Sequence, residues 1–294
     1  MKTYDAHVDV FSNLYERTIK GETKVFKKYH LDNMKKGEIA GGIWVVYSEY
    51  DFDVYEAYKI ALKDFEPYKN EFDVTLGLEG LRNVHNLDEL KKMHDLGIRH
   101  AMLTWNEENH LSTGVAGPSD HGLKEEGKKF LRFMEDNNWI VDVSHANIKS
   151  FYDILDYVSK PVIASHSCCY SLSDHRRNLN DDQLALLKKT SGYVGVNSAR
   201  NFVSKDKDHQ NIQGLVDHIE YLVDKLDIDH VMFGLDMMDF LDDFGKKPNL
   251  DDLVTHADTQ GIIKEMSRRG FNEEDIRKVA MLNFLDMRKK LIGK

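Results

Sequence analysis

Residues 140–167 read IVDVSHANIKSFYDILDYVSKPVIASHS. Two short apolar runs, Ile140–Val143 and Val162–Ser165, flank an amphipathic segment, Ile148–Val158. Short apolar runs read as strands buried on both faces, and the apolar spacing of the middle segment reads as one stripe of a helix. Strand, helix and strand in that order make a βαβ unit with parallel strands. Each run leads into a serine–histidine pair, Ser144-His145 and Ser165-His166.

The same unit recurs in both directions. Further candidate strands are Thr3–Asp9, Ile39–Tyr47, Asp73–Leu78, Arg99–Thr104, Tyr193–Asn197 and His230–Leu235. Helical spacing marks Tyr55–Phe65, Leu87–Leu96, Leu123–Asn137, Asp181–Lys189 and Ile212–Leu226. Eight strands alternating with helices predict a (β/α)8 TIM-like barrel, a single domain over 1–294, with a doubly wound open sheet as the alternative. A polar stretch at Lys246, Lys247 and Pro248 precedes two last helices, roughly Thr259–Arg269 and Glu273–Leu291. Asn272, followed by acidic residues to Asp275, is the start signal of the second.

Composition narrows the function. The chain has 294 residues, 41% hydrophobic and 31% charged, as in an ordinary folded enzyme. Fifty acidic against forty basic residues give a formal charge of −10, which argues against nucleic acid or anionic lipid as a partner. No apolar run is long enough for a membrane helix, and MKTYDAHVDV has no apolar signal region, so the expected location is the cytoplasm. The two cysteines, Cys168 and Cys169, are adjacent, a spacing that rarely closes a disulfide. They read as reduced packing residues in a reducing compartment.

The strand ends carry the chemistry. They read His7-Val8-Asp9, Leu78-Glu79-Gly80, Ser144-His145, Ser165-His166 and Leu235-Asp236. Side chains two apart on a strand share a side, so His7 and Asp9 can face one site. In a barrel these ends converge on the C-terminal face. Three histidines and three carboxylates around one axis are ligands for zinc or a similar divalent ion, and six candidates are more than one catalytic zinc needs.

In DAHVD (5–9), GLEG (77–80), VDVSHAN (141–147), ASHS (164–167), HRRNLND (175–181) and GLD (234–236), the chain resembles the membrane (renal) dipeptidase family, peptidase M19, of the amidohydrolase superfamily. The resemblance implies a barrel with two zinc ions. His7 and Asp9 would bind one, His145 and His166 the other, and Glu79 would bridge them. It implies Asp236 as the catalytic proton shuttle and Arg177 as the grip on the terminal carboxylate of a dipeptide, including dipeptides with a D-residue at the C-terminal position. It also suggests a homodimer. One position departs: studied members carry Leu-Thr-His at the end of strand four, where this chain has Leu103-Thr104-Trp105. Trp105 has one N–H donor and no acid/base capacity, so it is expected to donate one bond to substrate or to wall the pocket. His110 is a candidate substitute from the following loop, with an exposed loop histidine as the simpler reading.

Other features read as structural. Histidines 30, 85, 94, 100, 121, 209, 218 and 256 are expected in helices or loops without ligand spacing, and His230 at the opposite end of strand eight. Residues 105–121 form either a pocket wall or an ordinary loop. Two other functions stay open: a different amide or ester hydrolase with the same centre, and a metal-binding barrel without catalysis.

Overall fold

Eight parallel strands pair strictly in chain order in the structure, a computed structural model that describes residues 1–244 and 247–293. They are β1 (Thr3–Val8), β2 (Ile39–Tyr47), β3 (Asp73–Glu79), β4 (His100–Met102), β5 (Ile140–Asp142), β6 (Ile163–Ser167), β7 (Tyr193–Val196) and β8 (Val231–Phe233). Between β8 and β1 the ring closes through two hydrogen bonds. Leu235 N–H donates to Asp5 Oδ1 at 2.8 Å, and Asp236 N–H donates to the His7 carbonyl at 3.3 Å. The sheet is therefore a barrel rather than the open alternative.

The helices that cover it are α1 (Val10–Ile19), α2 (Leu31–Lys36), α3 (Val54–Phe65), α4 (Leu87–Leu96), α5 (Glu125–Asp136), α6 (Ile148–Tyr157), α7 (Asp181–Lys189), α8 (Arg200–Val203) and α9 (Ile212–Leu226). Three more follow β8: α10 (Gln260–Arg268), α11 (Glu273–Arg277) and α12 (Asn283–Ile292). Several start where the sequence caps them. The side chains of Asn86, Asn147, Asn180, Asn211 and Asn272 each accept from the backbone amide three residues on, satisfying a donor the helix cannot.

Boundaries differ in informative places. β4 and β8 are shorter than the apolar runs that announce them. The expected continuous helix over Glu273–Leu291 is broken by one π-helical turn, Lys278–Leu282. Beyond that turn, the Asn283 amide donates to the carbonyls of Ile228 and Val231, fastening α12 under β8. Of the polar stretch at Lys246, Lys247 and Pro248, Lys246 lies outside the described residues.

Two apolar layers hold the barrel. Outside, Trp44 of β2 is fully buried, its ring 5.0–5.7 Å from those of Phe11, Phe26, Phe65 and Phe72. Inside, Ala6, Ile43, Val45, Ile140, Ile163 and Met232 fill the N-terminal half, and Phe284, Met287 and Leu291 of α12 join the same cluster. Toward the C-terminal end the buried residues become ionisable: His7, Glu79, His145, His166 and Asp236. Apolar filling holds one end, so the other is free to carry charge.

Candidate metal centre

Two irregularities in the strands aim the histidines. In β1, Asp5 pairs with Gly42 and Val8 with Trp44, so three residues advance against two. In β6, Ala164 pairs with Val194 and Ser167 with Val196, again three against two. Each is a bulge, and a bulge turns a side chain away from strict alternation. His7 and His166 sit inside these two bulges, and their rings meet at 3.7 Å between centroids. His145 and Asp236 also break regular geometry. Both have left-handed backbones, φ 68° and 54° respectively, a conformation that costs a non-glycine residue energy and that clusters at functional sites. Gly80, at φ 85°, lets the chain leave Glu79 sharply, and a Cβ there would come within 2.9 Å of Trp105 N.

All six expected strand-end residues converge. Glu79 divides its two oxygens: Oε2 lies 3.4 Å from His7 Nε2, and Oε1 lies 2.9 Å from His145 Nε2 and 3.7 Å from His166 Nε2. His145 Nε2 and His166 Nε2 face each other at 2.9 Å. His7 Nε2 lies 3.8 Å from Asp9 Oδ1 and 4.0 Å from Asp236 Oδ1. Donor atoms of His7, Glu79 and His166 lie within 4.8 Å of one another, and so do those of His7, Asp9 and Asp236. The expected division into His7/Asp9 and His145/His166 is thus one partition of a single continuous cluster in which His7 touches both halves.

Asp9 does not stand on the strand. It occupies the N-cap position of α1, yet its side chain makes no cap hydrogen bond. Its Oδ1, and both ring nitrogens of His7, are buried without a hydrogen-bond partner among the described residues. An aspartate that forgoes a cap gives up roughly 0.5–2 kcal/mol of stability. Orphaned buried donors and acceptors at one point are what a metal ligand set looks like.

Electrostatics favour the same occupant. Burial pushes the Asp9 carboxyl well above its usual range, reinforced by Glu79, and burial raises Asp236 too. Burial opposes charge on His7, but Glu79, Asp9 and Asp236 overcome it and push its pKa up to about 10. Burial pulls His145 down to about 4 and His166 well below the usual histidine range. Glu79 is held low against its burial by His7 and His145. Three carboxylates share a dry site, and the chain alone relieves them only by protonating neighbours. Divalent cations would supply the missing positive charge, and imidazole and carboxylate are the donors they take. The residues fit a divalent metal centre.

The ligand nitrogens are positioned from behind. His145 Nδ1 lies 3.0 Å from Asn106 Oδ1, and His166 Nδ1 lies 2.8 Å from Ser165 Oγ. Each contact fixes a ring orientation and leaves Nε2 toward the cluster. Asn197 Nδ2 donates to Asp236 Oδ2 at 2.9 Å. Deeper in the wall, His100 Nε2 meets Asp142 Oδ2 at 2.9 Å, and His256 Nε2 meets Asp5 Oδ2 at 3.3 Å. The expectation that His100 lies in a helix or loop is therefore wrong: it is a buried residue of β4. The sequence assigns no role to Asn106, Ser165 or Asn197. Ser165 stands within the quoted ASHS segment, and the others carry no local signal.

The remaining expected residues line a cavity of about 360 Å³ above the cluster, among them Trp105 and Arg177. Trp105 packs its ring 5.9 Å from Tyr47 and 5.9 Å from His145, as a wall. Arg177 is buried, and burial lowers its pKa to about 10. It donates at 3.5 Å to the His166 carbonyl, and Asp236, Glu79 and Asp142 favour its charge against burial. His110 does not reach the cavity. Its Nε2 sits 3.1 Å from the Val84 carbonyl beside Phe130. Residues 105–121 include part of the cavity wall, and the segment is fastened through Val115 N–H, which donates to the His145 carbonyl at 2.9 Å. Cys168 and Cys169 are buried free thiols, both pushed up by burial, so the packing reading stands.

A (β/α)8 barrel that gathers a buried histidine–carboxylate cluster at the C-terminal ends of its strands is a barrel with a candidate metal centre. The chain belongs to the membrane dipeptidase family, peptidase family M19, whose profile matches residues 63–291. His7 and Asp9 lie N-terminal to the matched stretch. An uncharacterized dipeptidase of Schizosaccharomyces pombe is 34% identical over 224 residues, 74% of this chain and 52% of that protein. The dipeptidase tcpJ of Claviceps purpurea is 30% identical over 220 residues, 71% of this chain and 49% of that protein. The chain thus spans about half the length of these relatives. In fold it superimposes on a metallo peptidase from Rhodobacter sphaeroides solved with a phosphinate mimic of L-Ala-D-Ala, with TM-score 0.84, 21% identity and 99% of both chains covered. The M19 dipeptidase AC gives TM-score 0.86 at 22% identity, covering 100% of this chain and 99% of that one. No helix among the described residues is long and apolar enough to cross a membrane.

Proposed function

We propose that the protein is a binuclear, zinc-dependent dipeptidase that hydrolyses the peptide bond of dipeptides, with the C-terminal position open to a D-residue. The observation that carries the proposal is Glu79. One of its oxygens faces His7 and the other faces His145, as a carboxylate bridging two cations would require. His7 and Asp9 would hold one metal, and His145 and His166 the other. Two bound metals supply a nucleophilic water near neutral pH and polarise the scissile carbonyl.

The chain's residues do the rest. Arg177, a buried cation whose charge is favoured at longer range by Asp236, Glu79 and Asp142, takes the terminal carboxylate of the substrate. Trp105 and Tyr47, packed ring on ring at 5.9 Å, supply an aromatic part of the same cavity wall. Asp236, raised by burial and steadied by Asn197, accepts the proton released by the attacking water and returns it to the leaving amine. Asn106 and Ser165 keep the His145 and His166 rings in place throughout. A cavity of about 360 Å³ suits a small ligand of dipeptide size. Relatives bearing the dipeptidase name, and a structural neighbour that holds a dipeptide mimic, support the same substrate class.

The test is amino-acid release from a panel of L-L and L-D dipeptides by zinc-reconstituted protein beside a metal-stripped control. Zinc-dependent release is the expected result. Absence of release from protein shown to hold two metals would move the function to another amide or ester.

A further inference from the structure

A second cavity, about 500 Å³, lies behind Arg177. Arg177, Arg176 and His145 line both cavities, so the two meet along these residues. Their charge is opposite in character. Asp9, Glu16, Glu49, Glu79 and Asp236 line the cavity over the cluster, whereas among the described residues no aspartate or glutamate lines the second. The start of α6, at Asn147 and Ile148, and the start of α7, at Asn180 and Gln183, both open on it, bringing two positive helix ends to one space. Arg176, Arg177 and the hydroxyl-bearing Ser167 line the same space, so two guanidinium groups border a cavity without a counter-charge among the described residues of its wall.

We infer that this second cavity is an anion subsite that takes the carboxylate side chain of an aspartate or glutamate at the C-terminal position of the substrate. The inference rests on the dipeptidase reading for its orientation. With the terminal carboxylate on Arg177, the residue that bears it stands where the two cavities meet, and its side chain has the second cavity to enter. Arg176, exposed at the rim, supplies the second guanidinium that a second carboxylate needs. Gln183 faces the same space from the first turn of α7, where its side-chain oxygen accepts from Asn180 N–H in a capping box.

The test uses pairs that differ in charge and hardly in shape: Ala-Glu against Ala-Gln, and free glutamate against free glutamine, with the zinc-loaded protein. Wild type is expected to show a KM for Ala-Glu at least fivefold below that for Ala-Gln, and by isothermal titration to bind glutamate at least fivefold more tightly than glutamine. Arg176→Gln should bring both ratios to within about twofold. Gln183→Glu places a negative charge in the cavity while keeping the capping box, and should reverse both ratios. The side-chain carboxylate of glutamate can also bind zinc, so the subsite is read from the change of the glutamate/glutamine ratio in Arg176→Gln and Gln183→Glu rather than from the wild-type ratio alone. Selective glutamate binding that both variants alter, without hydrolysis of any dipeptide, would keep the subsite and remove the dipeptidase reading. Equal binding of glutamate and glutamine, or a preference untouched by both variants, overturns the subsite.

Discussion

His100 and Asp142 form a fully buried pair, Nε2 to Oδ2 at 2.9 Å, behind the strands that present His145 and His166. Asp142 does more than accept from His100. Its other oxygen accepts from Ser144 N–H at 2.8 Å and from Ser165 N–H at 3.1 Å, the residues just before the two histidines. The pair therefore sets the path of β5 and β6 where the ligands leave them. Asp5 repeats the arrangement on β1. It faces His256, and its Oδ1 accepts from His7 N–H at 3.1 Å and from Leu235 N–H, one residue before Asp236.

Asp142→Asn keeps the volume but removes the negative charge, and the contact with His100 must reverse, with the amide donating to His100 Nε2, while the oxygen goes on accepting from Ser144 and Ser165. Zinc affinity, measured by chelator competition, should fall roughly 10–100-fold while far-UV circular dichroism stays that of a folded barrel. Unchanged zinc affinity would show that the pair only packs the wall.

Asp236→Asn preserves shape and removes the proton acceptor. Turnover should fall by about 10²–10⁴-fold with zinc content retained. Full turnover in a metal-loaded variant would assign proton transfer to another group.

Trp105 walls the cavity against Tyr47 and His145 rather than reaching into the cluster. Trp105→Ala should raise KM several-fold and change kcat less, the signature of lost uniform binding. An equal fall in kcat and kcat/KM, with KM unchanged, would make the indole N–H a transition-state donor instead.

Away from the site, His30 is buried against Asn13 Oδ1 at 2.9 Å, and burial pulls its pKa down to about 3. The folded state keeps it neutral, whereas the unfolded chain protonates it below about 6.5. Its effect on stability is therefore absent above about pH 6.5 and unfavourable below, growing as pH falls toward 3. His30→Gln should show a shallower loss of stability across that window by up to one proton, about 1.4 kcal/mol per pH unit, in urea unfolding at a series of pH values. Parallel profiles would remove His30 as a source of acid sensitivity.

The sequence carried the architecture because parallel strands buried on both faces leave dense apolar runs, and each of the eight left one. The cluster was legible because barrel strands end at one face, so His7, Glu79, His145, His166 and Asp236 could be brought together without knowing any loop. What stayed hidden depends on distance in the chain. His100 and Asp142 are 42 residues apart, and His256 and Asp5 are 251 apart. Neither pair has a local signature, and nothing near His100, expected in a helix or loop, marks it as a buried strand residue facing Asp142. The bulges in β1 and β6 were equally silent, since one extra residue leaves the apolar pattern almost intact while it turns His7 and His166 inward. The placement of Asp9 followed from the same limit. Spacing two apart from His7 predicted a shared side, and the side is shared, but from a helix cap rather than the strand.

The most direct test of the account is a metal titration of stripped protein, with bound zinc and dipeptide hydrolysis measured on the same samples. The account predicts that activity rises with added zinc and reaches its plateau at two equivalents per chain. A plateau at one equivalent, or two bound equivalents without hydrolysis, would contradict it.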